Sequence, residues 1–268
     1  AQDAFYAPET LFDAETLHDI EPDTARVLYQ KAIEGFDHAK DTTGMIRSKI
    51  GLSDLYKNDG FYHSAFDELW DAQIFAEALR DTLSLIKLNR DLGSLYSIYQ
   101  KYEEALAHFQ TSLHYTRHIK APHRLAPITL SQIYYSFAVT HRKAGAYETA
   151  LIYLDSCLLA KQIRGTSKEE QPYVLAEKGI IFLKTGRLDE AQKYLEIANA
   201  YVSQRNMDYR IFTNLFLGDF YLAKQHYRKA NDFYRQSLIS QESSPSHGDS
   251  KVEILKKLAD SYWVIGEQ

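Results

Sequence analysis

The sequence contains few residues that interrupt helices and few that support disulfide or redox chemistry. Its 268 residues include 12 glycines, 6 prolines and one cysteine, Cys157. A single cysteine excludes an internal disulfide, a zinc site built on cysteine ligands and a redox pair. Because glycine and proline are scarce while 20 tyrosines and 13 phenylalanines are present, long helices are favoured over an all-β sandwich.

Charge and hydropathy disfavour two further classes of function. The formal net charge is −5, and no block of five like charges occurs, so nucleic-acid binding along a basic stripe is disfavoured. No apolar run approaches the roughly 20 residues that cross a bilayer, so any membrane attachment would come from regions outside this chain. The small residues of the opening AQDAFYAPE fit a trimmed secretory signal. They favour an exported, periplasmic location over a cytoplasmic one, although a cloned internal fragment would look the same.

A small residue followed four positions later by an aromatic residue or leucine recurs along the chain. Successive alanines of this pattern lie 33 to 45 residues apart. The pairs are Ala32 and Phe36, Ala65 and Leu69, Ala105 and Phe109, Ala150 and Leu154, Ala191 and Leu195, and Ala230 and Tyr234. A fixed period of this length indicates a repeat architecture.

A second pattern precedes each of the last five alanines. It consists of a small residue, an aromatic residue or histidine three positions later, and a pivot that is glycine or glutamine. The copies are Ser53, Tyr56 and Gly60; Gly93, Tyr96 and Gln100; Ala138, His141 and Gly145; Gly179, Phe182 and Gly186; and Gly218, Tyr221 and Gln225. Each copy predicts two antiparallel helices, because small residues allow a close approach and glycine permits the tight turn between them.

These residues resemble the tetratricopeptide repeat, whose pattern is W-x2-L-G-x2-Y, then G-x-Y, A-x3-F and P. Residues 92–109, LGSLYSIYQKYEEALAHF, match it best. No tryptophan opens any repeat, the terminal proline is mostly missing, and the period is near 40 rather than 34. The chain is therefore more similar to the longer-period repeats of bacterial sensory and regulatory proteins.

The resemblance implies an all-α, right-handed superhelical solenoid of helix hairpins. We expect a lead segment at 1–22, one weak and five clear hairpins over 23–250, and the first helix of a truncated repeat at 251–268. Since that last repeat lacks its second helix, the sequence also predicts that the natural polypeptide continues beyond Gln268.

Motifs of catalysis and cofactor binding are missing from the sequence. We find no glycine-rich phosphate loop, G-x-S-x-G, H-E-x-x-H or C-x-x-C pattern, so we expect a non-catalytic protein without cofactor or metal. His114, His118 and His123 form the nearest candidate metal site, and a metal-binding role is a minor alternative. Cys157 is expected to pack as a small core residue.

In the tetratricopeptide family the first helix of each hairpin lines the concave side, which implies a ligand groove here. Its charged and polar half would comprise Arg47, Ile50, Asp54, Lys57, Lys87, Arg90, Ser94, Gln132, Tyr135, Val139 and Arg142. Its apolar half would comprise Tyr173, Ala176, Ile180, Leu183, Phe212, Leu215, Asp219 and Leu222. The cations could hold a peptide's carboxylates, and the apolar half could hold hydrophobic side chains or an amphipathic helix. In the competing interpretation, the apolar residues are simply core.

We therefore expect a protein- or peptide-binding module, the sensory or scaffolding part of a longer bacterial regulator. The alternative is a structural solenoid that forms homo-oligomers through its unfinished C-terminal hairpin and its exposed aromatic residues.

Overall fold

Helices make up all the regular structure that the described residues contain. The computed structural model describes residues 2–117, 119, 126–164, 172–202, 207–242 and 248–266. The helices in these ranges are α1 (Gln2–Leu17), α2 (Pro22–Ala39), α3 (Thr42–Asn58), α4 (Tyr62–Leu79), α5 (Thr82–Ile98), α6 (Tyr102–Thr116), α7 (Ala126–Lys143), α8 (Tyr147–Arg164), α9 (Pro172–Lys184), α10 (Leu188–Tyr201), α11 (Met207–Ala223), α12 (Tyr227–Glu242) and α13 (Gly248–Gly266). No helix in this described part of the chain is long and apolar enough to cross a membrane.

The chain divides into two compact units, Ala1–Ala126 and Pro127–Gln268. The N-terminal unit contains α1 to α6, and the C-terminal unit contains α7 to α13. The repeats expected over 23–250 are thus shared between two units. Most of the expected lead segment, 1–22, forms α1, which packs against α2 as a further helix pair.

Each expected pivot turns the chain through a residue with a positive φ angle. The φ values are 80° at Gly60, 61° at Gln100, 80° at Gly145, 76° at Gly186 and 60° at Gln225. At the second pivot, the Lys101 N–H donates to the Tyr96 carbonyl at 2.9 Å and the Gln100 N–H donates to the Ser97 carbonyl at 3.2 Å. This is the bonding pattern of a left-handed helix cap. Glutamine takes this conformation at a steric cost that glycine avoids.

The recurring small residues lie where the two helices of a hairpin touch. All six alanines of the pattern are fully buried. A Cβ atom at Gly93 would lie 2.5 Å from the Phe109 ring and 2.9 Å from the Ala105 carbonyl oxygen. Gly218 is equally restricted, since a Cβ there would lie 2.3 Å from the Tyr234 ring. The predicted packing seam is confirmed.

A stacked ring pair joins the two helices in each of the last four hairpins. The first ring belongs to the predicted pattern, and the second lies three residues after the buried alanine. The pairs are Tyr96 and His108 at 5.1 Å, His141 and Tyr153 at 5.4 Å, Phe182 and Tyr194 at 5.2 Å, and Tyr221 and Phe233 at 5.4 Å. Burial in these stacks lowers the pKa of His108 and of His141.

Candidate functional site: the inner faces of the first helices

Two aspartate caps fix the start of the helices that carry the charged site. The Asp41 carboxylate accepts the Gly44 N–H at 3.0 Å at the start of α3. The Asp81 carboxylate accepts the Ser84 N–H at 3.3 Å at the start of α5. Asparagine and aspartate are preferred at this position because they satisfy an otherwise unbonded N–H of the first turn.

Five ionisable side chains from α3 and α5 form the charged cluster of the N-terminal unit. Lys57 Nζ lies 2.7 Å from Asp54 Oδ1, and Lys87 Nζ lies 3.6 Å from Asp54 Oδ2. Arg90 donates to Asp91 Oδ1 from Nε at 2.9 Å and from Nη2 at 2.7 Å. Three cations therefore surround two carboxylates.

Burial and the neighbouring charges shift the pKa values of Asp54 and Lys57 in opposite directions. Burial alone would raise the pKa of Asp54, but Lys57, Lys87 and Arg90 outweigh it and hold that pKa far below its usual range. Burial would lower the pKa of Lys57, yet Asp54 and Asp91 raise it. Asp54 and Lys57 are therefore both ionised near neutral pH.

Two other cations of the expected groove also have carboxylate partners within the protein. Arg47 donates to both carboxylate oxygens of Glu15, at 2.9 and 3.0 Å. Arg142 Nε donates to Glu177 Oε2 at 2.5 Å. Ser94, on the same face of α5, donates to the Arg90 carbonyl at 3.0 Å. Both arginines therefore form ion pairs within the protein, which the sequence did not predict.

Tyrosines form the central part of the inner face in the C-terminal unit. The rings of Tyr135 on α7 and Tyr173 on α9 are 4.7 Å apart, and those of Tyr173 and Tyr209 on α11 are 5.1 Å apart. All three rings are half-buried. Burial and then the Glu177 charge raise the pKa of Tyr135 well above its ordinary value, so its hydroxyl stays protonated. Three neighbouring first helices thus share one aromatic surface.

Several residues expected to line the apolar half of the groove are instead buried. Ile180 and Leu215 are buried within the C-terminal unit, as is Ala176, so these side chains form core rather than a ligand surface. Ile50 is likewise buried in the N-terminal unit. Phe212 remains 37% exposed. Tyr173, Leu183, Val139 and Leu222 are half-buried, and Gln132 is exposed.

Asp219 has a structural environment. Its carboxylate accepts hydrogen bonds from Lys257 Nζ at 2.7 and 2.9 Å and from the Tyr234 hydroxyl at 2.8 Å. Burial and the Asp219 charge raise the pKa of Tyr234 far above its ordinary value. These bonds connect α11 to both α12 and α13.

The proposed histidine site is only partly visible. His114 contacts Tyr115 edge-on, with 6.1 Å between ring centroids, whereas His118 and His123 lie outside the described residues. Among the residues that are described, no group of three potential ligands could hold a metal ion. Cys157 is fully buried beside Ala150 and Leu154, as a small core residue would be.

Three inner-face residues, Asp91, Glu177 and Tyr209, were not predicted from the sequence. Asp91 and Glu177 lie two positions before Gly93 and Gly179, so comparison of the repeats could have shown an acid at this register. Tyr209 lies three positions before Phe212 and therefore on the same helical face. Its contact with Tyr173 depends on the packing of α9 against α11.

The outer face of α13 carries a different kind of surface. Exposed apolar side chains follow one another at helical spacing, at Val252, Leu255, Tyr262 and Trp263. Ile254 on the opposite side is buried in the C-terminal unit. The helix thus packs one apolar side into the C-terminal unit and exposes a second apolar face to solvent.

Comparison with solved structures identifies the class of fold. The chain is similar to the apo form of RapI, with a TM-score of 0.72 at 14% identity over 90% of this chain and 84% of that one. It is similar to NprR in complex with its cognate peptide NprX, with a TM-score of 0.70 at 14% identity over 97% and 72%. It is also similar to aspartyl phosphate phosphatase F from Bacillus subtilis, with a TM-score of 0.63 at 16% identity over 99% and 70%.

The fold is an all-α solenoid of paired helices of the tetratricopeptide type. Neither protein-family models nor curated proteins match the sequence. At identities of 13 to 17%, the likeness to solved structures establishes the fold alone.

Proposed function

We propose that this chain is a non-catalytic module that binds a peptide or protein segment on the inner faces of its first helices. We further propose that it is the sensory or scaffolding part of a longer bacterial regulator. The carrying observation is the chemistry of those faces, with a charged cluster in one unit and a half-buried tyrosine surface in the other. The peptide complex of NprR, which has a similar fold, supports the same role.

The charged cluster favours binding over catalysis. A general acid or base works best when its pKa is near the operating pH. The Asp54 carboxyl is instead held ionised far from that range by three cations. An ionised, hydrogen-bonding surface of this kind suits recognition of polar groups.

Selection from a random-sequence dodecapeptide phage library tests this function. Selected peptides are resynthesised and titrated by fluorescence anisotropy. For each selected peptide we expect either Lys87→Gln or Tyr173→Ala to weaken binding at least fivefold, according to which unit's inner face binds that peptide. Matched changes at exposed outer positions, Lys31→Gln and Ile152→Ala, should leave the affinity unchanged. Failure to select any peptide above a helical-bundle control, or loss of binding only through the outer variants, would contradict the proposal.

Self-association through α13 is the second candidate function. It is favoured by the outward apolar face, in which Trp263 is 65% and Val252 69% exposed. Light scattering over a concentration series should show a particle larger than the monomer, and Trp263→Ser should restore the monomer. Trp70→Ser is the matched control, because Trp70 is also exposed, at 42%, but lies on α4. A monomer at all concentrations would eliminate this candidate.

A further inference from the structure

Two side chains of the charged cluster, Asp91 and Lys87, do not use their full hydrogen-bonding capacity within the cluster. Asp91 is only 4% exposed in its side chain, and its Oδ2 accepts no hydrogen bond from any residue that the structure describes. Arg90 donates from both Nε and Nη2 to Oδ1 of the same carboxylate. A buried carboxylate oxygen without a donor costs free energy, and such groups are normally satisfied by a partner, a water or a ligand.

Lys87 supplies the complementary feature. Its Nζ is 3.6 Å from Asp54 Oδ2, too long for a hydrogen bond, and 44% of its side chain is exposed. Lys57, by comparison, makes a 2.7 Å contact to the same carboxylate. The ammonium donors of Lys87 are therefore not used by Asp54, although the ion pair keeps the side chain near the cluster.

Lys87 and Asp91 are separated by one helical turn on α5. Residues at positions i and i+4 of a helix share a face, with Cβ atoms about 5–6 Å apart. An acidic residue of a peptide likewise presents two groups, its backbone N–H and its side-chain carboxylate. A single acidic residue could therefore contact both positions together.

The charge balance selects the ligand chemistry. Lys57, Lys87 and Arg90 outnumber Asp54 and Asp91 by one charge. A ligand cation at Asp91 Oδ2 would add to this surplus, whereas a neutral N–H would satisfy the oxygen without adding charge. A ligand carboxylate near Lys87 would compensate the surplus.

We propose that the inner face of the N-terminal unit recognises an acidic residue within a peptide, with the carboxylate bound by Lys87 and a backbone N–H of the peptide bound by Asp91 Oδ2. This inference rests on the proposed peptide-binding function and names the ligand group that its charged surface takes. Arg90 acts as a positioning residue, because its two bonds to Oδ1 hold the Asp91 carboxylate in place.

A double-mutant cycle between peptide and protein tests the carboxylate contact. The probes are peptides selected from the dodecapeptide library and their single Glu→Gln and Asp→Asn derivatives. At one acidic position, the amide should weaken binding to the wild-type chain about tenfold and should cause no further loss in Lys87→Gln. Lys31→Gln serves as the control and should retain the full tenfold effect.

N-methylation of successive peptide bonds tests the contact with Asp91. One N-methyl group, at or next to the acidic residue, should weaken binding to the wild-type chain at least tenfold. The same group should have little further effect on Asp91→Asn, whose thermal unfolding is measured alongside. If Asp91→Asn does not fold, the N-methyl scan on the wild-type chain remains decisive, because the proposal requires one sensitive bond at that position.

The outcomes separate this inference from the function on which it rests. Peptides that bind with no acidic preference, or an acid effect that persists in Lys87→Gln, would overturn the inference and leave the binding function standing. An N-methyl scan without a sensitive position would show that Asp91 Oδ2 receives a water or a structural partner instead. Selection of no peptide at all would overturn both.

Discussion

Replacement of Gly93 by alanine tests the close approach of α5 and α6. The added Cβ would lie 2.5 Å from the ring of Phe109 and 2.9 Å from the carbonyl oxygen of Ala105. The ring is fully buried and the oxygen belongs to the backbone, so neither can move aside alone and the helices must separate. Overpacking of this kind costs about 1–3 kcal/mol, while alanine recovers about 1 kcal/mol of helix propensity. Since two contacts are violated, we expect a net destabilisation of about 1–2 kcal/mol.

The hairpin of α7 and α8 suggests a second substitution that should relieve the clash. There Ala138 and Leu154 occupy the corresponding positions, and both are buried. Phe109→Leu alone should cost about 1–2 kcal/mol through lost contacts, but it also makes room for the new methyl group. The double variant should therefore be more stable than the two single effects predict, by about 1 kcal/mol or more. Urea unfolding followed by far-UV circular dichroism measures all four proteins. Strictly additive effects, or a Gly93→Ala protein as stable as the wild type, would show that α5 and α6 are not in such close contact.

Four further predictions concern stability. Burial lowers the pKa of His108 and His141 in the folded chain, so the unfolded chain binds more protons at acidic pH. The two neutral histidines therefore add to the free energy of unfolding in full above the unfolded pKa of about 6.5. This stabilisation is lost as the pH falls from that value through the lower folded pKa. Urea unfolding at a series of pH values should show a weaker loss for the double His→Gln variant, and an equal loss would count against this. Gly145→Ala should cost about 1 kcal/mol because φ is +80° and a Cβ there meets open space, whereas Gln100→Gly should be neutral or stabilising by up to about 1 kcal/mol; thermal unfolding midpoints that move the other way would contradict both. Tyr234→Phe should lower the free energy of unfolding in urea by about 1 kcal/mol, since Asp219 keeps its bonds from Lys257. A larger loss would contradict this, because it would mean that Lys257 alone does not stabilise the Asp219 carboxylate.

The hairpins could be predicted because their information is local and repeated. Gly93, Ala105 and Phe109 meet across a turn within 17 residues of sequence, and similar residues recur at the same spacing in the other copies. A single copy would be weak evidence, but agreement among several fixes both helices and the turn. The stacked rings at His108 and Tyr153 escaped prediction because their types vary, so their partners were seen only once the helices were placed.

The inner face was harder to predict, because it depends on how each first helix is rotated relative to the next. Ile180 and Leu215 have the helical spacing of a groove lining, yet both are buried. Phe212, three residues before Leu215 on the same helix, stays partly exposed. A small rotation of α11 would exchange their roles, and the repeat pattern constrains that rotation only at the seam.

The ion pairs of the inner face follow the repeat, and this decides where selectivity can reside. Acids occur at two registers, one residue after the small seam residue and two residues before it, and each is paired with a cation on a neighbouring first helix or on its own helix. The pairs are Asp54 with Lys87, Asp219 with Lys257, Glu177 with Arg142, and Asp91 with Arg90. The first three pairs join successive first helices, and in all four the charges are largely compensated by the fold. A ligand gains most where compensation is incomplete, because it need not displace an existing partner. In the N-terminal unit, the long contact of Lys87 and the unbonded oxygen of Asp91 meet that condition one helical turn apart.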